Sequence, residues 1–422
     1  MTVFTSDFPD TAKQPENAEK QAFIAAKITR KIPKSLDASV KTDERRCPMG
    51  TTGYTYPGRD TKGYELLTLI AVCGDFPASL LSRLPGSVSY QETLISSLKR
   101  NKLIKVYYRD KLRSYRLGVR AKAYLLADMP GRISFFLTGS ADTNLLKSEI
   151  TRRLRLHRIA EIYISMLNAG VLIYRDEKPD IFSPEHKISC SIEAPAFYNS
   201  REIKEAGIET IKIKGSRMIG TLLTASGMYL VYNCGSNQIK WDYRAEYRAK
   251  TLLHIMICQQ RMPFQYAGSS VSGLLFGNGM ELFYQILSCA DSGTRCFFLL
   301  DGTYAHFYYL TNDHYGDVLL RLLCDAEQTA ELHRILSLDL QQSDNGLSIE
   351  HDGLDAKGNP VLFGYLLDIP RINRFLTALN LHQRSGTLIC FDFQKEVLQK
   401  ICSDNVQLQT ISFEKFERRF YP

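Results

Sequence analysis

The sequence contains no apolar run long enough to cross a lipid bilayer. A transmembrane helix needs about 20 consecutive apolar residues. The longest such runs of this 422-residue chain, TLLHIMIC at 251–258 and TLICFDF at 387–393, are far shorter. The first residues also lack the basic segment and the apolar stretch of a secretory signal. We therefore expect no membrane contact and a cytoplasmic location.

Paired cysteines and nucleotide-binding loops are missing as well. The ten cysteines stand singly in apolar segments, with no C-x-x-C pair, so we expect small core residues in a reducing compartment. There is no G-x-x-x-x-G-K-[ST] loop and no G-x-G-x-x-G after a predicted strand, which leaves nucleotide hydrolysis without support. Five histidines lack a companion at i+3 or i+4 and are expected to be packed or surface residues, namely His157, His254, His306, His314 and His333. We expect no metal site and no cofactor.

Basic residues, by contrast, are concentrated in one short stretch. Residues 99–122 contain ten lysines and arginines and a single acid, Asp110, so their net charge is +9. The whole chain carries only +8, which leaves −1 for the other 398 residues. Such local basicity is typical of a surface that binds a polyanion.

The residues before this stretch have the pattern of three short helices. Apolar periodicity predicts helices in YELLTLIAVCG (64–74) and PASLLSRLPG (77–86). Ser89 and Glu92 form an S-x-x-E capping box, which predicts the start of a third helix.

A β-hairpin is predicted after the third helix. LIKVYYR (103–109) and RSYRL alternate with period two around a turn, which places Ile104, Val106 and Tyr108 on the predicted core face. Three helices followed by a basic hairpin is the order of a winged helix-turn-helix domain. In that domain the third helix enters the major groove and the hairpin contacts phosphates or the minor groove.

The winged-helix interpretation assigns a DNA-contacting role to individual residues. Polar side chains of the third helix are expected to touch bases: Gln91, Thr93, Ser96 and Ser97. Basic side chains are expected to touch phosphates: Lys99, Arg100, Lys105, Arg109, Lys111, Arg113 and Arg116. The alternative is a winged helix that makes protein contacts.

The middle of the chain has the order of a restriction-endonuclease-like core. A basic-to-apolar helix at 148–170 precedes predicted strands in GVLIYRD (170–176), ETIKIKG (209–215), RMIGTLLT and GMYLVYN, and a long helix follows from about 242 to 258. Such nucleases need acids on two neighbouring strands to bind a metal. Ile219 and Asn233 stand where those acids are required. Glu202 and Glu246 remain on flanking helices, with Lys240 and Lys250 nearby, and the two glutamates are expected to be surface residues.

The last third of the chain predicts an α/β domain. Asp301-Gly302 suits a hairpin turn, and two helices are expected around 318–336. Strands NPVLFGYLLD, TLICFDF and VQLQTISF alternate with two helices after residue 359, which favours a parallel sheet.

These observations predict an α+β or α/β multidomain protein, and 44% hydrophobic residues suffice for such cores. The expected parts are a flexible arm at 1–62, a winged-helix DNA-binding domain at 63–140, a degenerate nuclease-like α/β domain at 145–265 and a C-terminal α/β domain at 266–422.

Three segments carry a resemblance to a known family. ELLTLIAVCGDFPASLLSRL, LKRNKLIKVYYRDKLRSYRLGVRAKAYLL and RLRLHRIAEIYISMLNAG make residues 60–260 similar to the replication-relaxation family of plasmids and integrative conjugative elements. The resemblance implies a DNA-binding helix and wing at the positions named above, and a role in plasmid replication or conjugative mobilisation. It also implies a nuclease-like second domain, whose acids are replaced here at Ile219 and Asn233.

The combined expectation is a non-catalytic accessory protein of a mobile genetic element. Its expected partners are duplex DNA and relaxase or replication proteins, and both a monomer and an oligomer stay open. Two alternatives remain, a winged-helix transcriptional regulator and a metal-dependent DNA nuclease.

Overall fold

Three β-sheets and the helices around them make up the part of the chain that a computed structural model describes. That part comprises residues 55–138, 149–184, 191–207, 213, 215–238, 240–288, 302–341 and 349–422. The protein is therefore a mixed α/β structure, in line with the coarse fold class expected from the sequence. None of its described helices has the length and apolar character of a membrane span.

The first region contains the three predicted helical segments and the hairpin. Its elements are α1 (Lys62–Cys73), β1 (Phe76–Pro77), a 3₁₀ helix (Ala78–Arg83), α2 (Val88–Arg100), β2 (Ile104–Arg109), β3 (Leu112–Leu117), α3 (Val119–Asp128) and α4 (Pro130–Leu137). The strands form a small antiparallel sheet in the order β1-β3-β2. The element order predicted from the sequence is confirmed here, with the second helix in the tighter 3₁₀ form.

Two details of this region differ from the sequence prediction. Helix α2 is capped by Ser87, whose hydroxyl accepts a hydrogen bond from the Tyr90 backbone N–H at 3.2 Å. The capping box predicted at Ser89 is therefore wrong. The predicted core face of β2 is also wrong beyond Ile104, because Val106 and Tyr108 are 38% and 68% exposed. Burial on β2 ends at Ile104, whereas on β3 it continues through Tyr115 to Ser114.

The second region is built on a five-stranded sheet. Its elements are α5 (Ile150–Asn168), β4 (Ala196–Asn199), α6 (Ser200–Ile203), β5 (Gly220–Leu223), β6 (Met228–Gly235), α7 (Tyr243–His254) with a π-helical extension (Ile255–Arg261), α8 (Pro263–Tyr266), β7 (Val271–Gly277), α9 (Met280–Ser288) and β8 (Phe307–Thr311). Strands β4, β5 and β6 are antiparallel neighbours, whereas β6, β7 and β8 run parallel. The sheet therefore continues across the boundary predicted at 265/266.

The predictions for this region have mixed outcomes. The strands in RMIGTLLT and GMYLVYN and the long helix from about 242 are confirmed. The strand predicted in GVLIYRD is wrong, because Leu172 makes only an isolated bridge to Ala196. Its apolar residues are buried as a loop that follows α5. Most of ETIKIKG, and Asp301 of the predicted hairpin turn, lie outside the described residues.

The third region confirms the predicted parallel sheet. Its elements are α10 (His314–Cys324), α11 (Ala326–Leu336), β9 (Gly353–Leu354), β10 (Pro360–Phe363), α12 (Ile369–Leu381), β11 (Gly386–Phe391), a 3₁₀ turn (Asp392–Gln394), α13 (Lys395–Gln399), β12 (Val406–Ile411) and α14 (Phe413–Phe420). Strands β10, β11 and β12 are parallel, and β9 adds an antiparallel edge. Buried apolar side chains on both faces of β11 explain its continuous hydrophobic run.

Helix α5 joins these regions into one core. Its buried residues belong to the same apolar cluster as those of α1 and α10. Close to this contact, Arg83 pairs with Asp317 at 2.5 Å, and Asn168 donates to the same carboxylate at 2.7 Å. Residues Thr55–Pro422 accordingly form a single compact unit. The six cysteines within the described ranges are free thiols that are buried or half-buried, as predicted for core residues.

Candidate nucleic-acid interface

Helix α2 presents most of its predicted contact residues to solvent. Thr93, Ser96 and Ser97 are exposed, and so are Lys99 and Arg100 in its last turn. Gln91 is different, because it is only 4% exposed and its amide nitrogen donates to the carbonyl of Pro85 at 2.7 Å. That bond fixes the loop before α2, so the expected base contact of Gln91 is corrected to a structural role.

The hairpin carries a second group of exposed basic side chains. Lys105, Arg109, Lys111 and Arg113 are all exposed along β2, the turn and β3. Among the described residues only Arg109 of these four has an acidic neighbour, Asp110, at 3.5 Å. The aromatic ring of Tyr108 stands on the same hairpin and is 68% exposed. The tip of the hairpin is therefore a positively charged surface with an exposed ring.

Arg116 does not belong to this surface. Its side chain is 12% exposed, and its Nε donates to Asp75 Oδ1 at 2.7 Å. Its guanidinium also lies over the ring of Tyr107, 3.8 Å from the centroid. The expected phosphate contact of Arg116 is corrected, because a guanidinium held by a buried carboxylate and a ring is not available to a ligand.

Asp75 is the centre of a buried polar network beneath the hairpin. Its side chain is fully buried and lies 3.0 Å from Arg153 Nε and 3.1 Å from His157 Nε2. The hydroxyl of Ser114 donates to it at 2.7 Å. Burial alone raises the pKa of this carboxyl, but hydrogen bonds from His157, Arg116 and Ser114 outweigh that effect and hold it well below its usual value. Asp75 is therefore a buried anion that is bound by side chains from two elements, β3 and α5.

Arg153 connects this network to the turn of the hairpin. Its two terminal nitrogens donate to the carbonyls of Arg109 at 2.9 Å and Leu112 at 3.0 Å, on either side of the turn. The two turn residues, Asp110 and Lys111, have φ angles of 54° and 62°. Positive φ at both central positions is the type I′ geometry that suits a two-residue hairpin. The buried guanidinium thus holds the basic turn in a fixed position on α5.

This network is not visible in local sequence patterns. Asp75 and its partners are 39 to 82 residues apart along the chain, so no local spacing connects them. One signal was present, because Arg153 and His157 share a helix face with the apolar residue Ala160. A charged residue on a buried face requires a partner of opposite charge.

The two positions at which the nuclease interpretation requires acids, Ile219 and Asn233, are neutral. Ile219 directly precedes β5. Asn233 on β6 donates to Glu161 Oε2 at 2.7 Å and to the carbonyl of Arg158 at 3.0 Å. Burial raises the pKa of the Glu161 carboxyl, and the hydrogen bond from Asn233 partly opposes this effect. This arrangement is a network of hydrogen bonds that joins α5 to the sheet.

The two glutamates that were expected on the surface are buried instead. Glu202 is 3% exposed, completes a capping box with Asn199 and pairs with Lys178 at 2.9 Å. Glu246 is fully buried and accepts from Ser216 at 2.6 Å and from the Arg217 backbone at 2.7 Å. Both carboxylates are therefore occupied by structural hydrogen bonds.

Within the described ranges, no group of three or more histidine, cysteine, aspartate or glutamate side chains is arranged to hold a metal ion. Comparison with known proteins adds no assignment to this geometry. The chain matches no protein-family model, no curated protein and no solved structure.

Proposed function

We propose that this protein binds duplex DNA through α2 and the β2–β3 hairpin, which together act as a winged helix-turn-helix. In this proposal it is a non-catalytic accessory protein of a mobile genetic element, active in plasmid replication or conjugative mobilisation in the cytoplasm. The five-stranded sheet acts as a degenerate nuclease-like scaffold, and the C-terminal sheet serves relaxase or replication proteins as a contact surface.

One observation carries this proposal. Six exposed basic side chains lie on the last turn of α2 and on the hairpin, and five of them have no ion-pair partner within the described part of the chain: Lys99, Arg100, Lys105, Lys111 and Arg113. Unpaired cations fixed on rigid elements are suited to phosphate contacts, which supply most of the affinity of a protein for DNA. The buried bonds from Arg153 make this hairpin rigid, which supports a role in docking.

Salt-dependent binding to duplex DNA tests the proposal. Each phosphate contact lowers log K by about 0.9 per tenfold increase in salt. Replacing Arg109, Lys111 and Arg113 by alanine should weaken binding and reduce the salt slope by about 2.7, three contacts at about 0.9 each. Fluorescence anisotropy with a labelled duplex measures both quantities.

The matched control removes three exposed charges elsewhere. Arg384, Lys395 and Lys415 are exposed residues of the C-terminal region, and their alanine variant should bind duplex DNA like the unaltered protein. Equal weakening in both triple variants would mean that net charge, and not the hairpin, controls binding. A protein that does not bind duplex DNA in dilute salt would refute the proposal.

The nuclease alternative has a direct test. A metal-dependent nuclease requires acids that bind the ion, and Ile219 and Asn233 are neutral. We expect supercoiled plasmid DNA to stay intact in the presence of Mg²⁺ or Mn²⁺. Nicking that is lost when Glu161 is replaced by glutamine would establish this alternative.

A transcriptional regulator remains a second candidate because the structure contains a cavity of ligand size. The cavity of about 360 Å³ lies between the second and third sheets and is lined by His306, Tyr365, Asp368 and Arg371. The Tyr365 hydroxyl is buried and has no hydrogen-bond partner among the described residues. Footprinting on the DNA that flanks its gene distinguishes the candidates, since a regulator protects one operator next to a promoter.

A further inference from the structure

A groove lined by arginines lies on the face of α5 that is opposite to the buried network. Its volume is about 490 Å³. Arg152, Arg155 and Arg158 line it from successive turns of α5, and Arg217 lines it from the segment before β5. Residues three apart on a helix lie on one face, so these α5 arginines form a continuous stripe that excludes the buried Arg153.

The charges of this arginine groove are only partly offset by neighbouring acids, since Glu161 interacts electrostatically with Arg158 and Glu246 with Arg217. All four arginine side chains are exposed, and none forms an ion pair with a described residue. The groove is lined by one acid, Glu149, which accepts a hydrogen bond from the Thr151 hydroxyl at 2.8 Å. Partial desolvation and the charges of Arg152 and Arg217 lower the pKa of Arg155. Four like charges held close together repel one another, and an anionic ligand would reduce this electrostatic repulsion.

The floor of the arginine groove is neutral. Ile219 and Asn233 line it together with Met218. Asn233 is already bound to Glu161 and to the Arg158 carbonyl. The groove therefore combines guanidinium groups that bind phosphate oxygens in pairs with a floor that offers no metal ligands.

We propose that the arginine groove binds the sugar–phosphate backbone of a single nucleic acid strand, without a metal ion and without cleaving it. The inference rests on the proposed function in taking nucleic acid as the ligand. A volume of about 490 Å³ has room for a phosphate with its sugar. The groove is thus a second contact, distinct from the duplex-binding surface.

The position of the groove relates it to the hairpin. Arg153 bonds to the carbonyls on both sides of the hairpin turn, and Arg152 and Arg155 lie on the same turn of α5 as Arg153. One helical turn rises only about 5.4 Å. A strand that leaves a duplex bound at the hairpin would therefore pass around α5, a helix about 10 Å in diameter, to reach the arginines, so the preferred substrate is a duplex with a single-stranded extension.

The test uses the full chain and three labelled DNAs in EDTA, namely a blunt duplex, the same duplex with a single-stranded thymidine extension, and oligothymidine alone. The unaltered protein should bind the extended duplex more tightly than the blunt one. Replacing Arg152, Arg155, Arg158 and Arg217 by glutamine should remove that difference and lower the salt slope on oligothymidine by about 2.8, four contacts at about 0.7 each. A variant with lysine at the same four positions should recover part of the binding, because lysine keeps the positive charge but cannot donate paired hydrogen bonds to a phosphate.

The outcomes separate this inference from the proposed function. The hairpin variant with Arg109, Lys111 and Arg113 replaced by alanine should bind the blunt duplex more weakly and keep oligothymidine binding. Absence of blunt-duplex binding in the unaltered protein would refute the proposed function and leave the oligothymidine comparison valid. Equal oligothymidine binding by the glutamine variant and the unaltered protein overturns the inference. Groove-dependent binding of polyglutamate that is tighter than that of oligothymidine also overturns it, because an acidic protein segment would then be the partner. An unchanged thermal unfolding midpoint of the glutamine variant shows that its fold is intact.

Discussion

Arg153 and Asp75 form an ion pair in which both side chains are completely buried, with Nε and Oδ2 3.0 Å apart. The pair joins α5 to the loop after α1, and the same guanidinium holds the turn of the basic hairpin. The stability of the first region and the position of its charged surface therefore depend on one buried arginine.

Replacing Arg153 by methionine should destabilise the protein by about 3–5 kcal/mol, because it removes one of the two arginines that pair with the buried Asp75 charge. The free energy of unfolding from urea titration measures this loss. Arg152→Met is the matched control, since Arg152 is the exposed neighbour on the same helix, and its effect should stay within about 0.5 kcal/mol. A loss below about 1 kcal/mol for Arg153→Met would contradict the structural role of the pair.

The pKa of Asp75 predicts a specific loss of stability in acid. Because this pKa is lower in the folded protein, the unfolded chain binds more protons at Asp75 than the folded one. The stabilisation is complete above the unfolded pKa of about 3.9 and declines as the pH falls below it towards the folded value. Between about pH 5 and pH 3, Asp75→Asn should therefore show a smaller drop in unfolding free energy than the unaltered protein. Asp404→Asn, at an exposed position, should retain the full drop.

The sequence predicted those elements whose pattern is local. The strands β10, β11 and β12 are short apolar runs between helices of regular periodicity, and they pair in parallel as expected. The turn at Asp110 was also visible, because the hairpin strands alternate on either side of it. Periodicity assigns residues to a face, however, and does not reveal which part of that face another element covers. This is why Val106 and Tyr108 were placed in the core although they are exposed.

The candidate site could be predicted only in part, because local patterns do not show which residues another element covers. Exposed lysines and arginines are recognisable from composition, but the roles of Arg116 and Gln91 depend on partners elsewhere in the fold. The arginine groove requires α5 and the segment of Arg217 to meet, and these are about 60 residues apart in the chain. The net charge of a sequence segment cannot reveal such a contact, because acidic residues elsewhere in the chain cancel the arginine charges in the total.

His306 should make a small contribution to stability that disappears at high pH. Its Nδ1 lies 2.7 Å from Asp368 Oδ2, and this hydrogen bond raises the pKa of the imidazole. The contribution is complete below the unfolded pKa of about 6.5 and is lost as the pH rises through the higher folded value. Because the side chain is 41% exposed, solvent screening limits the effect to below about 1 kcal/mol. Thermal unfolding between about pH 6 and pH 8 should show a smaller pH dependence for His306→Gln than for the unaltered protein, and equal pH dependence would contradict this.

Replacing Lys111 by glycine should change stability and DNA binding in opposite directions. Lys111 has a φ of 62° in the hairpin turn, a conformation that costs a non-glycine residue about 1–2 kcal/mol. Glycine adopts it freely but loses more entropy on folding, so a net gain of about 0.5–1 kcal/mol in unfolding free energy is expected. The same change removes one exposed charge, so the salt slope of duplex binding should fall by about 0.9. Asp110→Asn serves as the control, because it keeps Lys111 and places a residue that tolerates positive φ beside it. A glycine variant that is more stable and binds duplex DNA with an unchanged salt slope would show that Lys111 does not contact phosphate.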